Sequence, residues 1–310
     1  MVNRIDDIVS KNELQLFGNL EFIAKEVVAG FITGLHKSPF HGFSVEFAEH
    51  RLYNAGESIK DIDWKLYGRT DKLFVKKFEE ETNLRSYIVI DNSSSMFFPL
   101  ENNINKLIFS IQSAAVLIHL LKKQRDAVAL TLFNDAIELI TQARSSSTHQ
   151  KYLYIELEKL LLNISKDYNK KTFTSSCLDQ IAEMIPKRSL VIIFSDMFDN
   201  TNNYETIFSA LQHLRHNKHE VLLFHVLDKN KEADFNYNSR PHKFIDLETK
   251  EEIKINPTEI KNSYQKSMID FKTEIKMRCE QGGIDFIECD IKKGFNDILL
   301  AYLIKRKFLY

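Results

Sequence analysis

The stretch Tyr87-Ile-Val-Ile90-Asp91-Asn-Ser-Ser-Ser95-Met96 decides the fold, because an apolar run meets a cluster of small polar residues there. A continuous Ile/Val run is typical of a strand buried on both faces, as in the centre of a parallel sheet. A long helix is predicted to follow from Asn103 to Lys122. Ligands of open α/β sheets bind at the carboxyl ends of the strands. Asp91, Ser93 and Ser95 are therefore predicted to face a binding crevice.

Strands and helices alternate from Arg85 onward, which predicts an α/β fold with a Rossmann-like, mostly parallel sheet flanked by helices. The predicted strands are Ser86–Asp91, Ala127–Phe133, Leu190–Asp196, Val221–Asp228 and Asp285–Asp290. The further predicted helices are His149–Asn163, Ser176–Ile185, Tyr204–Asn217, Pro257–Gln281 and Gly294–Phe308. Residues 243–255 are predicted to form an exposed hairpin.

The amino-terminal part of the chain has a different pattern. Apolar residues between Ile5 and Leu35 have helical spacing. Between Ser38 and Glu81, turn residues separate short aromatic or β-branched segments, which predicts a small β-rich element. We therefore expect a helical and β-rich extension over residues 1–84 and the α/β domain over residues 85–310.

Composition restricts the classes of partner and the location. The 42 Lys and Arg residues nearly balance the 43 Asp and Glu residues, so net charge does not favour nucleic acid as a partner. The three cysteines are widely separated and include no Cys-x-x-Cys pair, which fits a reducing compartment. No apolar stretch approaches the roughly 20 residues that cross a bilayer. We expect a soluble, cytoplasmic protein that does not insert into membranes.

Asp91, Ser93 and Ser95 also suggest a metal site. Mg²⁺ prefers hard oxygen ligands, and spacing at alternate residues allows one loop to surround an ion. The alternative is a turn whose side chains bind their own backbone or cap the next helix.

A second predicted strand ends in Asp196 at the same edge of the sheet, although this residue could instead cap a helix. Between the two strands, Thr172 could reach the ion, with Thr174, Ser175 and Ser176 as alternatives for this role.

The ordered set of Asp91-x-Ser-x-Ser95, a later threonine and Asp196 resembles the metal-ion-dependent adhesion site of von Willebrand factor A domains. The resemblance implies an A-type domain. It also implies that Asp91, Ser93, Ser95, Thr172 and Asp196 hold Mg²⁺, or alternatively Mn²⁺ or Ca²⁺. In that family, the aspartates often act through water, and a partner protein supplies a carboxylate at the open coordination position.

A second resemblance covers nearly the whole chain. The segments that carry it are Gly42-Phe-Ser-Val-Glu-Phe47, Arg51-x-Tyr53, Gly56-Glu-Ser-Ile-Lys-Asp-Ile-Asp-Trp64, Arg69, Phe74-Val-Lys-Lys-Phe-Glu-Glu-Glu-Thr82, Phe224-His-Val-Leu-Asp228 and Phe244-Ile-Asp-Leu-Glu-Thr249. Their order is similar to the bacterial domain-of-unknown-function family fifty-eight. Its members are commonly encoded beside MoxR-type AAA+ ATPases, which implies such an ATPase, or its client, as a partner in assembly or maturation.

Trp64, Arg69, Asp61 and Asp63 form a second candidate site in this amino-terminal part. Asp–Arg pairs around an aromatic ring are expected either to hold the β-rich element in place or to form a docking surface. Trp and Arg dominate the energetics of protein interfaces.

Three functions remain open at this point. The leading hypothesis is a non-enzymatic, Mg²⁺-dependent interaction module that recognises an acidic group on a partner. A metal-dependent phosphoryl hydrolase is the first rival, but the second residue after Asp91 is Ser93 rather than an acid–base carboxylate. A metal-free scaffold is the second rival. The chain contains no P-loop, His-Glu-x-x-His or Gly-x-Ser-x-Gly motif.

Overall fold

The computed structural model of the protein describes residues 20–35, 50–52, 64–76, 84–100, 104–163, 173–198, 204–247 and 250–309. Its strands are β1 (His50–Leu52), β2 (Phe74–Lys76), β3 (Arg85–Asp91), β4 (Ala127–Phe133), β5 (Ile137–Ile140), β6 (Leu190–Ser195), β7 (Glu220–Leu227), β8 (His242–Ile245), β9 (Glu252–Ile255) and β10 (Asp285–Asp290). Its α-helices are α1 (Leu20–Leu35), α2 (Trp64–Thr70), α3 (Lys106–Lys123), α4 (Ser147–Asn163), α5 (Thr174–Met184), α6 (Tyr204–His216), α7 (Pro257–Gln281) and α8 (Asn296–Leu309).

The main sheet has six strands in the order β10-β7-β6-β3-β4-β5. Neighbouring strands pair in parallel, except that β5 joins β4 antiparallel at one edge. The mostly parallel α/β architecture predicted from the sequence is therefore confirmed. The antiparallel edge strand β5 was not predicted, because its four residues show no extended apolar run.

Two apolar cores cover the faces of this sheet. Successive side chains of a strand point to opposite faces, and β3 follows this rule. Ile88 and Ile90 lie in one core, with residues of α3, α4 and α8. Tyr87 and Val89 lie in the other core, with residues of α5, α6 and α7. Burial on both sides explains why β3 has an almost uninterrupted apolar sequence.

Helix α1 packs into the first of these cores. Ala24 and Val28 are fully buried, and they belong to the same apolar cluster as Ile88 of β3. Helix α1 also contacts α3 directly. Helix α1 of the amino-terminal region thus contributes to the core of the α/β domain. The domain boundary near residue 84 stays a prediction.

The segment predicted to be β-rich contains a helix as well as strands. Strands β1 and β2 pair antiparallel over three residues each. Between them, Trp64–Thr70 forms the short helix α2, which the sequence interpretation missed. Gly68 contributed to the misinterpretation, although a single glycine costs about 1 kcal/mol in a helix and does not by itself end one.

Strands β8 and β9 pair antiparallel in the stretch where the sequence predicts a hairpin. Within the described ranges, no helix is both long enough and apolar enough to cross a bilayer.

We expect replacement of a residue in helix α1 that faces the core to destabilise the whole α/β domain. Val28→Ala removes two fully buried methyl groups and should lower the free energy of unfolding by about 2 kcal/mol. Glu26→Ala, on the exposed side of the same helix, should change it by less than about 0.5 kcal/mol. Urea unfolding monitored by circular dichroism measures both values. Equal effects of the two substitutions would show that the packing of α1 is not coupled to the domain.

Candidate metal site

The register of the sheet brings the two predicted aspartates together. Strands β3 and β6 are parallel neighbours, with Ile90 opposite Phe194, so Asp91 lies beside Ser195 and Asp196 follows at once. The Ser195 hydroxyl donates a hydrogen bond of 2.7 Å to Oδ2 of Asp91. Both aspartates are almost completely buried.

The loop after β3 gathers three of the predicted ligand side chains. The backbone N–H of Ser93 donates to Oδ1 of Asp91 at 2.9 Å, which turns the chain directly after the strand. Residues Ser94–Phe97 then form one 3₁₀ turn. This turn leaves the hydroxyl oxygens of Ser93 and Ser95 3.1 Å apart. One carboxylate and two hydroxyls thus lie on a single short loop.

The environment of Asp91 disfavours its charge. Burial and the neighbouring charge of Asp196 raise the pKa of Asp91 to about 7, although hydrogen bonds from Ser195 and Ser93 act in the opposite direction. Among the described residues, no ammonium or guanidinium group pairs with this carboxylate. A bound cation would compensate its charge.

Asp196 has a different environment, because Lys106 binds it. The Lys106 ammonium lies 2.7 Å from Oδ2 of Asp196 and 2.6 Å from Oε1 of Glu232. The backbone N–H of Phe198 donates to Oδ1 of Asp196 at 3.1 Å. Burial alone would lower the pKa of Lys106, but the charges of Asp196 and Glu232 outweigh this effect and raise it. The lysine therefore remains a cation within the crevice.

Aromatic rings flank this buried ammonium. The Lys106 Nζ lies 5.8 Å from the ring centroid of Phe98 and 5.5 Å from that of Phe198, within the range of cation–π attraction. Lys106 is the first residue of helix α3, and its side chain is 1% exposed. The start of the helix thus directs a positive charge into the edge of the sheet.

Glu232 belongs to a π-helical turn, Lys229–Ala233, which follows β7. Its second oxygen accepts a hydrogen bond of 2.8 Å from the backbone N–H of Asp228. Phe235, just after the turn, contacts the tilted ring of Tyr264 in α7 and stacks on Phe244 of β8, with ring centroids 4.4 and 5.6 Å away. The hairpin and α7 therefore hold the turn that brings Glu232 to Lys106.

Sequence interpretation missed Lys106 and Glu232. Their contact joins positions 126 residues apart, which no local pattern reveals. One signal was present: a lysine at the start of a helix opposes the helix dipole, which favours acidic residues there. A carboxylate nearby would offset this unfavourable interaction.

Some of the remaining predicted residues lie outside the described ranges. These are Asp61, Asp63 and Thr172, and the side chain of Trp64 is also outside them. Arg69 is described and exposed on helix α2. Of the alternatives to Thr172, Thr174 is fully buried, and its hydroxyl has no hydrogen-bond partner among the described residues.

These residues fit a hard cation. Asp91 supplies an uncompensated buried carboxylate, and Ser93 and Ser95 supply adjacent hydroxyl oxygens, the ligand types that Mg²⁺ prefers. Within the described ranges, no three His, Cys, Asp or Glu side chains converge as metal ligands. A cation here would therefore depend on hydroxyls and water for most of its coordination.

Comparison with known families identifies the chain. The family model described as "Protein of unknown function DUF58" matches residues 49–274. The chain belongs to the DUF58 family. This match confirms the family resemblance seen in the sequence, whereas the A-type domain and the association with a MoxR-type ATPase stay predictions.

Curated relatives of this DUF58 protein are uncharacterized proteins of Mycobacterium tuberculosis and Mycobacterium bovis. Each is 23% identical over 209 residues, which are 67% of this chain and 63% of the relative. The chain thus spans less than two thirds of the length of these relatives.

Three solved structures resemble the DUF58 chain weakly. BatB from Bacteroides thetaiotaomicron is 12% identical, with a TM-score of 0.43 over 73% of this chain and 100% of its own. An aerotolerance-related membrane protein from Bacteroides fragilis is 13% identical, with a TM-score of 0.45 over 72% of this chain and 99% of its own. The PilB minor pilin of Streptococcus sanguinis is 9% identical, with a TM-score of 0.41 over 77% of this chain and 66% of its own. TM-scores below 0.5 and identities below 15% make all three likenesses weak.

We expect Asp91 to make the metal-free protein less stable as pH rises. Its pKa is raised from 3.8 to about 7 on folding, so the folded state binds this proton more tightly than the unfolded state. The associated stability is present below pH 4 and is lost as pH rises through about 7. Between pH 5 and pH 8 in EDTA, wild type should therefore lose stability on the order of 2 kcal/mol more than Asp91→Asn. Urea unfolding at both pH values measures the difference.

Asp290→Asn is the matched control, because Asp290 also ends a strand at this edge but lies three strands away from β3. It should keep the wild-type pH dependence. If Asp91→Asn also keeps the wild-type pH dependence, Asp91 is not the carboxylate that causes it.

Proposed function

We propose that this DUF58 protein is a non-enzymatic interaction module that holds a divalent cation, preferably Mg²⁺, in the crevice after β3. Asp91, Ser93 and Ser95 would hold the ion, Asp196 would act through water, and Thr172 would add a hydroxyl from outside the described residues. The ion would supply an open coordination position for a carboxylate of a protein partner.

One observation carries the proposal. Asp91 is completely buried beside a second carboxylate, its pKa is raised to about 7, and the hydroxyls of Ser93 and Ser95 lie together on the same loop. Buried ionised carboxylates are normally paired with a cation or bound to a metal. Lys106 performs this role for Asp196 and Glu232, whereas Asp91 lacks such a partner within the described ranges.

The partner follows from the sequence resemblance. We infer that a MoxR-type AAA+ ATPase, or a client protein of that ATPase, presents the acidic residue, and that the complex acts in protein assembly or maturation. The cytoplasm is the compartment where such an ATPase and reduced cysteines would occur together. The Trp64 and Arg69 region is the alternative docking surface.

Two groups near Asp196 favour a binding role over phosphoryl hydrolysis. Burial lowers the pKa of His225 to about 4, and the paired carboxylates hold the pKa of Lys106 above its usual range. A general acid or base works best with a pKa near the operating pH. Asp91, with a pKa of about 7, meets this condition, but neither His225 nor Lys106 is suited to act as its partner in proton transfer at neutral pH. Turnover of p-nitrophenyl phosphate that required both Mg²⁺ and Asp91 would support the hydrolase instead.

We expect Mg²⁺ to raise the melting temperature of the wild-type protein. A ligand that binds only the folded state at 100 times its Kd stabilises it by about 2.7 kcal/mol. Asp91→Asn and Ser95→Ala should lose most of this increase, whereas Asp290→Asn should retain it. Thermal unfolding in MgCl₂, compared with NaCl of equal ionic strength, separates binding from screening. Equal melting curves in the two salts would contradict the metal site and favour the metal-free scaffold.

We expect a purified MoxR-type ATPase from the source organism to be retained by the immobilised wild-type protein in Mg²⁺ and not by Asp91→Asn. The variant is the decisive control, because EDTA would also remove Mg²⁺ from the nucleotide site of the ATPase. Arg69→Ala should leave retention unchanged. Loss of retention with Arg69→Ala but not with Asp91→Asn would move the docking surface to helix α2.

A further inference from the structure

Four charged side chains form one group at the carboxyl edge of the sheet, beside the separate pair of Lys292 and Asp228, whose charges cancel. Lys106 contacts Asp196 and Glu232 directly, and Asp91 lies close enough to Asp196 for their charges to interact. With all four ionised, three carboxylates and one ammonium leave two net negative charges. A divalent cation neutralises this excess, whereas a monovalent cation leaves one negative charge and a trivalent cation adds one positive charge.

Lys106 also restricts what Asp196 can do. One oxygen of Asp196 accepts the ammonium at 2.7 Å and the other accepts the Phe198 N–H at 3.1 Å. Each carboxylate oxygen has two acceptor sites, so a single site on each remains for a water molecule. Lys106 thus places a positive charge on Asp196, whereas the oxygens of Asp91 accept from the N–H of Ser93 and the hydroxyl of Ser195.

Lys106 is not an ordinary surface lysine, because its ammonium group is buried. Its side chain is 1% exposed and lies near the rings of Phe98 and Phe198. It bridges the carboxylate of Asp196, directly after β6, and that of Glu232, in the turn after β7. Placing an ammonium in such a site has a desolvation cost of several kcal/mol, which the two carboxylates must offset. An apolar residue of the same volume would avoid this cost but would leave the two buried carboxylates without their cation. The charge itself is therefore what the site uses.

We propose that Lys106 is a positioning residue that sets the charge of the crevice and thereby its preference for divalent cations. It stabilises the two flanking carboxylates, offsets part of their negative charge and leaves Asp91 as the member of the group without a cationic partner among the described residues. This inference rests on the proposed metal site and adds the determinant of its ion selectivity.

Removing the charge of Lys106 should change the affinity for metal ions, which would stay unchanged if Lys106 had only a packing role. Lys106→Gln leaves three net negative charges, so Mg²⁺ binding should become tighter by about tenfold and Tb³⁺ should gain on Mg²⁺. Glu232→Gln leaves one net negative charge, so Mg²⁺ binding should weaken by about tenfold. The double variant restores the wild-type charge and should bind Mg²⁺ within about threefold of wild type.

The experiment is a titration of the full chain with Mg²⁺ alone and with Tb³⁺ alone at pH 8, followed by thermal unfolding. The midpoint of stabilisation is read for wild type, the two single variants and the double variant. Lys292→Gln is the matched control, because Lys292 also binds a strand-end carboxylate, Asp228, at 3.1 Å but is 45% exposed. Its exposed charge is screened, so the midpoint should shift less than about threefold.

The outcomes distinguish this inference from the proposed function. If wild type shows no response to Mg²⁺, both are overturned. If wild type responds but the single variants only lower the melting temperature in EDTA and keep the wild-type midpoints, Lys106 has a packing role alone and this inference is overturned. Should Lys106→Gln fail to fold, Glu232→Gln and the double variant still decide the question through their Mg²⁺ midpoints.

Discussion

Negative charge buried at the carboxyl edge of the central sheet is the constraint on which this structure depends. The parallel register of β3 and β6 places Asp91 and Asp196 on adjacent strand ends, within a region from which flanking helices exclude water. Two ionised carboxylates in such surroundings repel each other and lose their hydration. Compensation must come from hydrogen bonds, an ammonium or a metal ion. The two aspartates are compensated differently. Lys106 pairs with Asp196, whereas Asp91 receives hydrogen bonds from Ser93 and Ser195.

The two apolar cores make this arrangement rigid. Each strand of the sheet centre contributes side chains to both cores, so its end cannot shift without disturbing packing on two faces. Helix α3 is buried along most of its length, and Lys106 is its first residue. Its asparagine cap, Asn105, accepts a hydrogen bond of 2.8 Å from the Ile108 N–H and fixes where the helix begins. The position of the buried ammonium is therefore a consequence of core packing and helix capping together.

The second carboxylate partner of Lys106 depends on more distant parts of the chain. Glu232 is held by the turn after β7, and the ring of Phe235 fixes that turn against α7 and the β8–β9 hairpin. The hairpin thus has a structural link to the crevice, although its strands pair outside the main sheet. A change in the packing of these rings would alter the charge environment of Asp196 through Glu232 and Lys106.

The sequence alone determined the fold class, the central strands, most helices and the convergence of Asp91, Ser93, Ser95 and Asp196 at one edge. These follow from local periodicity and from the rule that parallel strands end on the same side, both of which are visible in a linear pattern. Helix α2 and strand β5 were not predictable in this way, because short segments lack a distinctive period. The packing of α1 against the domain was not predictable either, because a helical period does not show which surface the apolar face covers. Only the tertiary structure decided that Lys106 is buried between Asp196 and Glu232. The physical reason is that a lysine has the same local pattern whether solvent or a carboxylate 126 residues away receives its charge.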